Sequence, residues 1–172
     1  TGLCGPLVAP YARRLVGVDL SERMLEQARG RGSYDELVHG ELTAYLAAAA
    51  DAFDVIVSAD TLVYFGPLDG VAAAAAGALR PGGVLVFTVE ELAGEAGYAI
   101  GPTGRYRHAR GYVDRVLADA GLQSEVAPAE LEHGHDEQDR VTHVAAREAE
   151  RALGELARTL PLAEPEQRLA RV

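Results

Sequence analysis

The chain has 172 residues, 48% hydrophobic and 24% charged, with 16 basic side chains against 26 acidic ones and a formal net charge of −10. This size and balance suit one globular domain and exclude a disordered chain, while a single cysteine, Cys4, excludes an internal disulfide and a multi-cysteine zinc site. Every basic residue is Arg, so lysine chemistry (a phosphate-loop clamp, a Schiff base, a kinase-type ATP contact) is excluded, and the acidic field opposes nucleic acid.

No apolar run approaches the roughly 20 residues of a membrane span, and no basic-then-apolar leader opens the sequence. A soluble, cytoplasmic protein with no membrane partner is expected.

In chain order, Thr1-Gly2-Leu3-Cys4-Gly5 reads as a glycine-containing turn entering a helix. Val16-Gly17-Val18-Asp19 is a short strand ending in an acid, after which Ser21 is placed to cap a helix with Met24, Leu25 and Ala28 on its buried face. Leu37-Val38 is a weak second strand, and Leu42 to Ala50 an alanine-rich helix. Phe53 to Ser58 is the strongest strand, β-branched and nearly continuously apolar, as strands buried on both faces are. Beyond Pro67, a helix over Val71 to Leu79 is expected to stop at Arg80-Pro81-Gly82-Gly83, before a strand over Val84 to Val89. Arg110 to Ala120 is a helix ended by Gly121, and Leu122 to Leu131 and Arg140 to Arg147 are a closing pair of strands. This alternation predicts an α/β fold, a doubly wound, mostly parallel sheet with a C-terminal antiparallel hairpin. The domain is assigned to residues 1–147 and a charged helical tail to 148–172.

An acid at the tip of a strand in a nucleotide-binding unit accepts hydrogen bonds from both ribose hydroxyls, and Asp19 suits that role. The segments Val16 to Arg29, Gly40-Glu41-Leu42, Phe53 to Asp60 and Leu79 to Phe87, in this order and spacing, resemble the class I S-adenosylmethionine-dependent methyltransferases. The strings Thr-Gly-Leu-Cys-Gly at 1–5 and Ala-Asp-Thr-Leu-Val-Tyr-Phe at 59–65 are similar to those of predicted methyltransferases associated with tetratricopeptide repeats. The resemblance implies S-adenosyl-L-methionine as cofactor. Thr1 and Gly2 would lie in the glycine loop, Asp19 on the ribose, Leu20 and Met24 beside the adenine, Glu41 on the adenine amino group with Leu42 as apolar neighbour, and Ala59 and Asp60 at the methyl end. It also implies a first strand and an acidic Gly-x-Gly opening ahead of Thr1, so that residues 1–172 are expected to be a fragment lacking the first strand.

Methyl transfer from a sulfonium is an in-line displacement with a neutral leaving group, so alignment carries most of the catalysis, and a base helps only a protonated nucleophile. Asp60 is the candidate base, with a helix cap or orienting acceptor as its other reading. Tyr64 and Phe65 line a substrate pocket or are core aromatics. The run Gly104-Arg105-Tyr106-Arg107-His108-Ala109-Arg110 is a basic island that either receives an anionic small substrate on Arg105 and Arg107, with His108 or Tyr106 near the reacting atom, or is a solvated helix start. His133-Gly134-His135-Asp136 is read as a polar loop and no metal is expected. The motifs of nucleic-acid amino and cytosine-carbon methylation are absent, which favours a small molecule or a protein side chain as acceptor. A nicotinamide-dependent oxidoreductase and a non-catalytic methyltransferase-like interaction module remain the alternatives.

Overall fold

The computed structural model describes residues 1–94, 97–130 and 140–146. It opens with the one-turn helix α1 (Gly5–Val8), followed by β1 (Val16–Asp19), α2 (Glu22–Gly30) and β2 (Glu36–His39). β1 and β2 pair in parallel, Val16 opposite Glu36 and Asp19 opposite His39. On α2, Leu25 and Ala28 are buried and Met24 half-buried, the face expected from their spacing. Ser21 holds the N-cap position, but its hydroxyl caps nothing: its backbone N–H donates to Asp19 Oδ1 (2.8 Å), and its carbonyl accepts from Met24 and Leu25.

After α3 (Leu42–Ala47), a second sheet is built on β3 (Phe53–Ser58) and the long β4 (Leu79–Glu91), parallel neighbours joined through α4 (Asp69–Ala78). β5 (Tyr98–Ile100) and β6 (Tyr106–His108) form an antiparallel hairpin, and α5 (Arg110–Asp119) leads to β7 (Ser124–Glu130) and β8 (Arg140–Ala146). β8 runs antiparallel to both β4 and β7. Val86 and Phe87 each face β3 on one side and β8 on the other, so β4 is central. β6 meets β4 beyond the end of β3, with Glu91 opposite His108. The fold is thus α/β, as the alternation predicts: parallel pairs β1–β2, β3–β4 and β4–β6 with helices between them, and antiparallel pairs β5–β6, β4–β8 and β7–β8.

The core lies where α3, α4 and α5 cover β3 and β4. Ala72, Ala75 and Ala78 recur every third residue on α4 and are all buried. Side chains this short let α4 lie close against the sheet.

Four local expectations change. The alanine-rich helix ends at Ala47, three residues early, and Asp51 takes a left-handed φ of 48° in the turn that follows. Arg80-Pro-Gly-Gly does not separate helix from strand but forms a bulge within β4: Phe53 lies opposite Leu79, yet Val55 lies opposite Val84. Gly82 there has φ 80°, and a Cβ on Gly83 would come within 2.8 Å of the Arg80 carbonyl oxygen. Within the basic island Tyr106–His108 is the second strand of a hairpin, and only the last residue, Arg110, starts a helix. Finally, β3 is less enclosed than a strand buried on both faces: only Ser58 is fully buried and Val57 is 43% exposed. Among the described residues β3 pairs along its β4 edge alone, and β1–β2 forms a separate two-stranded sheet. The proposed metal-free loop at 133–136 and the tail at 148–172 lie outside the described residues.

Candidate active site

In parallel α/β sheets ligands bind beyond the carboxyl ends of the strands, and the polar side chains of this chain gather at those ends. At the end of β1, Asp19 accepts the Ser21 N–H through Oδ1 alone. Among the described residues nothing bonds its second oxygen, which leaves it available to a hydroxyl pair. Leu20, next in sequence, is 67% exposed, an apolar side chain open to a planar ring. His39 at the end of β2 holds this turn, its Nε2 donating to the Leu20 carbonyl (2.8 Å). The sequence reading missed His39, whose only signal is its place one strand over from Asp19.

The amino-terminal turn packs closely behind. Gly2 has φ 69°, and a Cβ there would lie 2.7 Å from Ala28 Cβ, so only glycine brings this backbone against α2. The Thr1 carbonyl accepts from Arg31 Nε (2.6 Å). Asp19, Leu20 and Met24 thus gather at the start of α2, whereas Thr1 and Gly2 pack against its far end at Ala28 and Arg31, and no hydrogen bond among the described residues joins the glycine turn to Asp19. Asp19 and Leu20 suit the adenosine half of a nucleoside cofactor: an open carboxylate oxygen beside an exposed apolar side chain.

Glu41 and Leu42 are engaged differently from the sequence expectation. Glu41 caps α3, Oε1 accepting from Thr43 N–H (2.8 Å) and Oε2 from Ala44 N–H (2.7 Å). Those bonds, the Thr43 one foremost, hold its carboxyl below the usual glutamate value, and an adenine amino group would have to share oxygens already in use. Leu42 packs against the hydrophobic core, where it lines a small apolar cavity of about 20 Å³, a packing gap far too small for a cofactor.

A second cluster sits at the ends of β3, β4 and β6. Asp60, in the turn after β3, takes a left-handed φ of 55° and donates its backbone N–H to Thr88 Oγ1 (2.8 Å). Its carboxylate meets the guanidinium of Arg105, whose Nε also lies 2.5 Å from Oε1 of Glu90. Arg107 Nε approaches the other Glu90 oxygen at 3.5 Å. Burial opposes charge on Arg105, but the Asp60 bond and the negative charge of Asp60 and Glu90 outweigh it and hold the guanidinium protonated. Tyr64, 63% exposed, lies under this guanidinium with 5.9 Å from Cζ to the ring centroid, so it is not a core aromatic. Phe65 packs against the core instead. Thr88 went unread in the sequence because it looks like an ordinary strand position, and Glu90 because it falls just past the expected strand end at Val89.

Two catalytic candidates take other positions. His108 is 1% exposed, donates from Nε2 to the Gly66 carbonyl (2.9 Å) and stacks on Tyr112 at 18° between planes. Burial pushes its pKa down, and the ring supports the 62–68 segment from beneath rather than reaching toward an acceptor. Tyr106 is half-buried and meets Tyr98 edge-on at 6.0 Å, and both rings pack on Gly66.

Among the described residues, the buried side-chain polar atoms without a hydrogen-bond partner are Ser58 Oγ, Arg105 Nε, Arg107 Nε and His108 Nδ1. All belong to the end of β3 or to residues 105–108. Such atoms are rare in native interiors and concentrate where chemistry is done. Arg105 Nε is close to Glu90 but its N–H is not aimed at the carboxylate, so that contact is an ion pair rather than a hydrogen bond. No hydrogen bond or ion pair among the described residues joins this cluster to the Asp19 group. Among them, too, no group of three or more His, Cys, Asp or Glu is placed to hold a metal, and no helix is long and apolar enough to cross a membrane.

The fold recurs in solved structures. One is an S-adenosylmethionine-dependent methyltransferase from Mesorhizobium loti, 24% identical, covering 78% of this chain and 80% of that one at a TM-score of 0.58. Another is the N-methyltransferase NodS from Bradyrhizobium japonicum WM9 in complex with S-adenosyl-L-homocysteine, 22% identical, covering 84% and 71% at 0.65. A third is the [4+2]-cyclase SpnF, 17% identical, covering 84% and 70% at 0.67. The architecture thus serves more than one chemistry, and the likeness establishes the fold alone. No curated protein matches the sequence. The model of the methyltransferase domain matches residues 1–87, from the amino-terminal turn through β3, α4 and into β4, and on that match the chain belongs to the methyltransferase domain family.

Proposed function

We propose that this protein transfers a methyl group from S-adenosyl-L-methionine to a small-molecule acceptor in the cytoplasm. The observation that carries the reading is Asp19: a carboxylate at the carboxyl end of a parallel strand, oriented by the Ser21 N–H through one oxygen and open at the other. The family match, and the homocysteine form of the cofactor bound by NodS, support the identity of the nucleoside.

The cofactor supplies an electrophilic methyl on a sulfonium that leaves as a neutral sulfide. Asp19 holds the ribose hydroxyls, and Leu20 and Met24 flank the adenine. Ala59 and Asp60 face the methyl end, and Tyr64, Arg105 and Arg107 border the acceptor. Holding the reactants in line supplies on the order of 7–11 kcal/mol of barrier reduction. Asp60 is poorly suited to accepting a proton, because its carboxylate is engaged by Arg105.

The finer placement is with methyltransferases associated with tetratricopeptide repeats, supported by the strings at residues 1–5 and 59–65. The split of the sheet supports one more parallel strand between β1 and β3, supplied from outside these residues, which would join the two sheets and cover Val57. Slow amide exchange at both strands only when that segment is present would bear this out.

Calorimetry with S-adenosyl-L-homocysteine tests the main reading. Asp19→Ala should weaken binding about tenfold or more, the loss of charge-assisted hydrogen bonds to the ribose. Binding of NADH in place of the homocysteine would move the protein to the nicotinamide-dependent enzymes.

A further inference from the structure

Arg105 is held in two different ways. From the sheet side, Glu90 on β4, only 9% exposed, lies against Nε, while Oε2 of the same carboxylate faces Arg107. From the outer side the guanidinium meets Asp60, whose side chain is 68% exposed, and the open ring of Tyr64. A contact to a nearly buried carboxylate is costly to break, whereas an exposed ion pair shifts an equilibrium by about fivefold at most. The Glu90 contact is therefore a fixed mount and the Asp60 contact an exchangeable one. The charges balance only with Asp60 counted: Arg105 and Arg107 against Glu90 and Asp60. With Asp60 displaced, one positive charge on a rigid planar fork faces outward beside an aromatic ring.

We infer that Asp60 is an internal stand-in for a carboxylate of the methyl acceptor, and that Arg105, mounted on Glu90, is the residue that selects an acceptor bearing a carboxylate next to an apolar body. On binding, the acceptor's carboxylate takes the Asp60 position on the guanidinium, its apolar part covers Tyr64, and Asp60 swings to solvent. No covalent bond is made or broken in this exchange. The inference rests on the reading of this edge as the acceptor side and adds to it the acceptor's charge, the seat of that charge and the group it displaces.

The test uses benzoate as the probe on the full protein, followed by ligand-observed NMR, with inorganic phosphate as the contrasting anion. Asp60→Asn keeps a residue that tolerates the left-handed backbone but removes the competing charge, and should tighten benzoate binding about fivefold over wild type. Adding Arg105→Gln should bring affinity below wild type, and phosphate should bind Asp60→Asn more weakly than benzoate because it leaves Tyr64 uncovered. Equal benzoate affinity in wild type and Asp60→Asn, or a gain that survives Arg105→Gln, overturns the inference. Phosphate affinity for Asp60→Asn equal to that of benzoate overturns the carboxylate preference. Should Asp60→Asn fail to fold, wild type carries the test: benzoate must shift the ¹⁵N signals of the Arg105 guanidinium, and an unmoved signal at saturation overturns the inference as well. S-adenosyl-L-homocysteine binding by wild type is measured alongside. Its presence without any benzoate effect rejects this inference alone, and its absence rejects the methyltransferase reading beneath it.

Discussion

The backbone N–H of Asp60 donates to the Thr88 hydroxyl across 2.8 Å, tying the turn after β3 to the centre strand β4. Asp60 has a φ of 55°, a conformation that persists in a residue other than glycine only when its surroundings hold it. The same turn aims the Asp60 carboxylate at Arg105, so a hydroxyl on β4 helps set where that ion pair forms.

Thr88→Val keeps the shape of the side chain and removes the acceptor. Stability measured by urea unfolding should fall by about 1 kcal/mol, the usual net worth of such a bond, while Thr88→Ser should retain most of it. Equal stability of all three proteins would show that the turn holds itself.

The bulge in β4 makes a sharper demand. A methyl group on Gly83 would meet the Arg80 carbonyl oxygen at 2.8 Å and the Asp54 carbonyl oxygen at 3.2 Å, backbone atoms that cannot swing aside. Gly83→Ala should cost on the order of 1–3 kcal/mol, the range of overpacked sites. Gly77→Ala, where a Cβ meets nothing within 4 Å, serves as the control and should gain stability by about 0.5–1 kcal/mol from helix propensity.

His108 makes stability depend on pH in one direction. Burial lowers its folded pKa below the ordinary 6.5, so the unfolded chain binds the proton more readily. The protein should hold this part of its stability above about pH 6.5 and lose it as the pH falls from there toward the lowered folded value. Tyr98 and Tyr112 pack on the ring, and neither supplies a charge to offset the proton. Thermal melts at pH 7.5 and 5.5 check this: His108→Phe should be less stable at pH 7.5, having lost the Gly66 bond, but should lose less between the two pH values than wild type.

Residues close in sequence, or repeated at a regular period, were legible. Asp19 was found as the end of an apolar run, the α2 face by its spacing, and the α/β class by alternation, because each depends on local backbone preference and periodic burial. The Arg80 to Gly83 bulge was misread because a Pro-Gly-Gly run looks the same whether it ends an element or bends one. The basic island likewise carried its charge in the sequence but not its strand conformation, which comes from pairing with β4 and β5.

By itself, then, the sequence determined the fold class, the family and the residue types at the strand ends. Only the tertiary structure decided which of them meet. Glu41 is spent on a helix cap, and His108 lies beneath the site rather than in it. Arg105 is shared between Asp60 and Glu90, 45 and 15 residues away along the chain. The physical reason is that a charged side chain acts through the few ångströms around it, and that neighbourhood is set by strand pairing between distant segments.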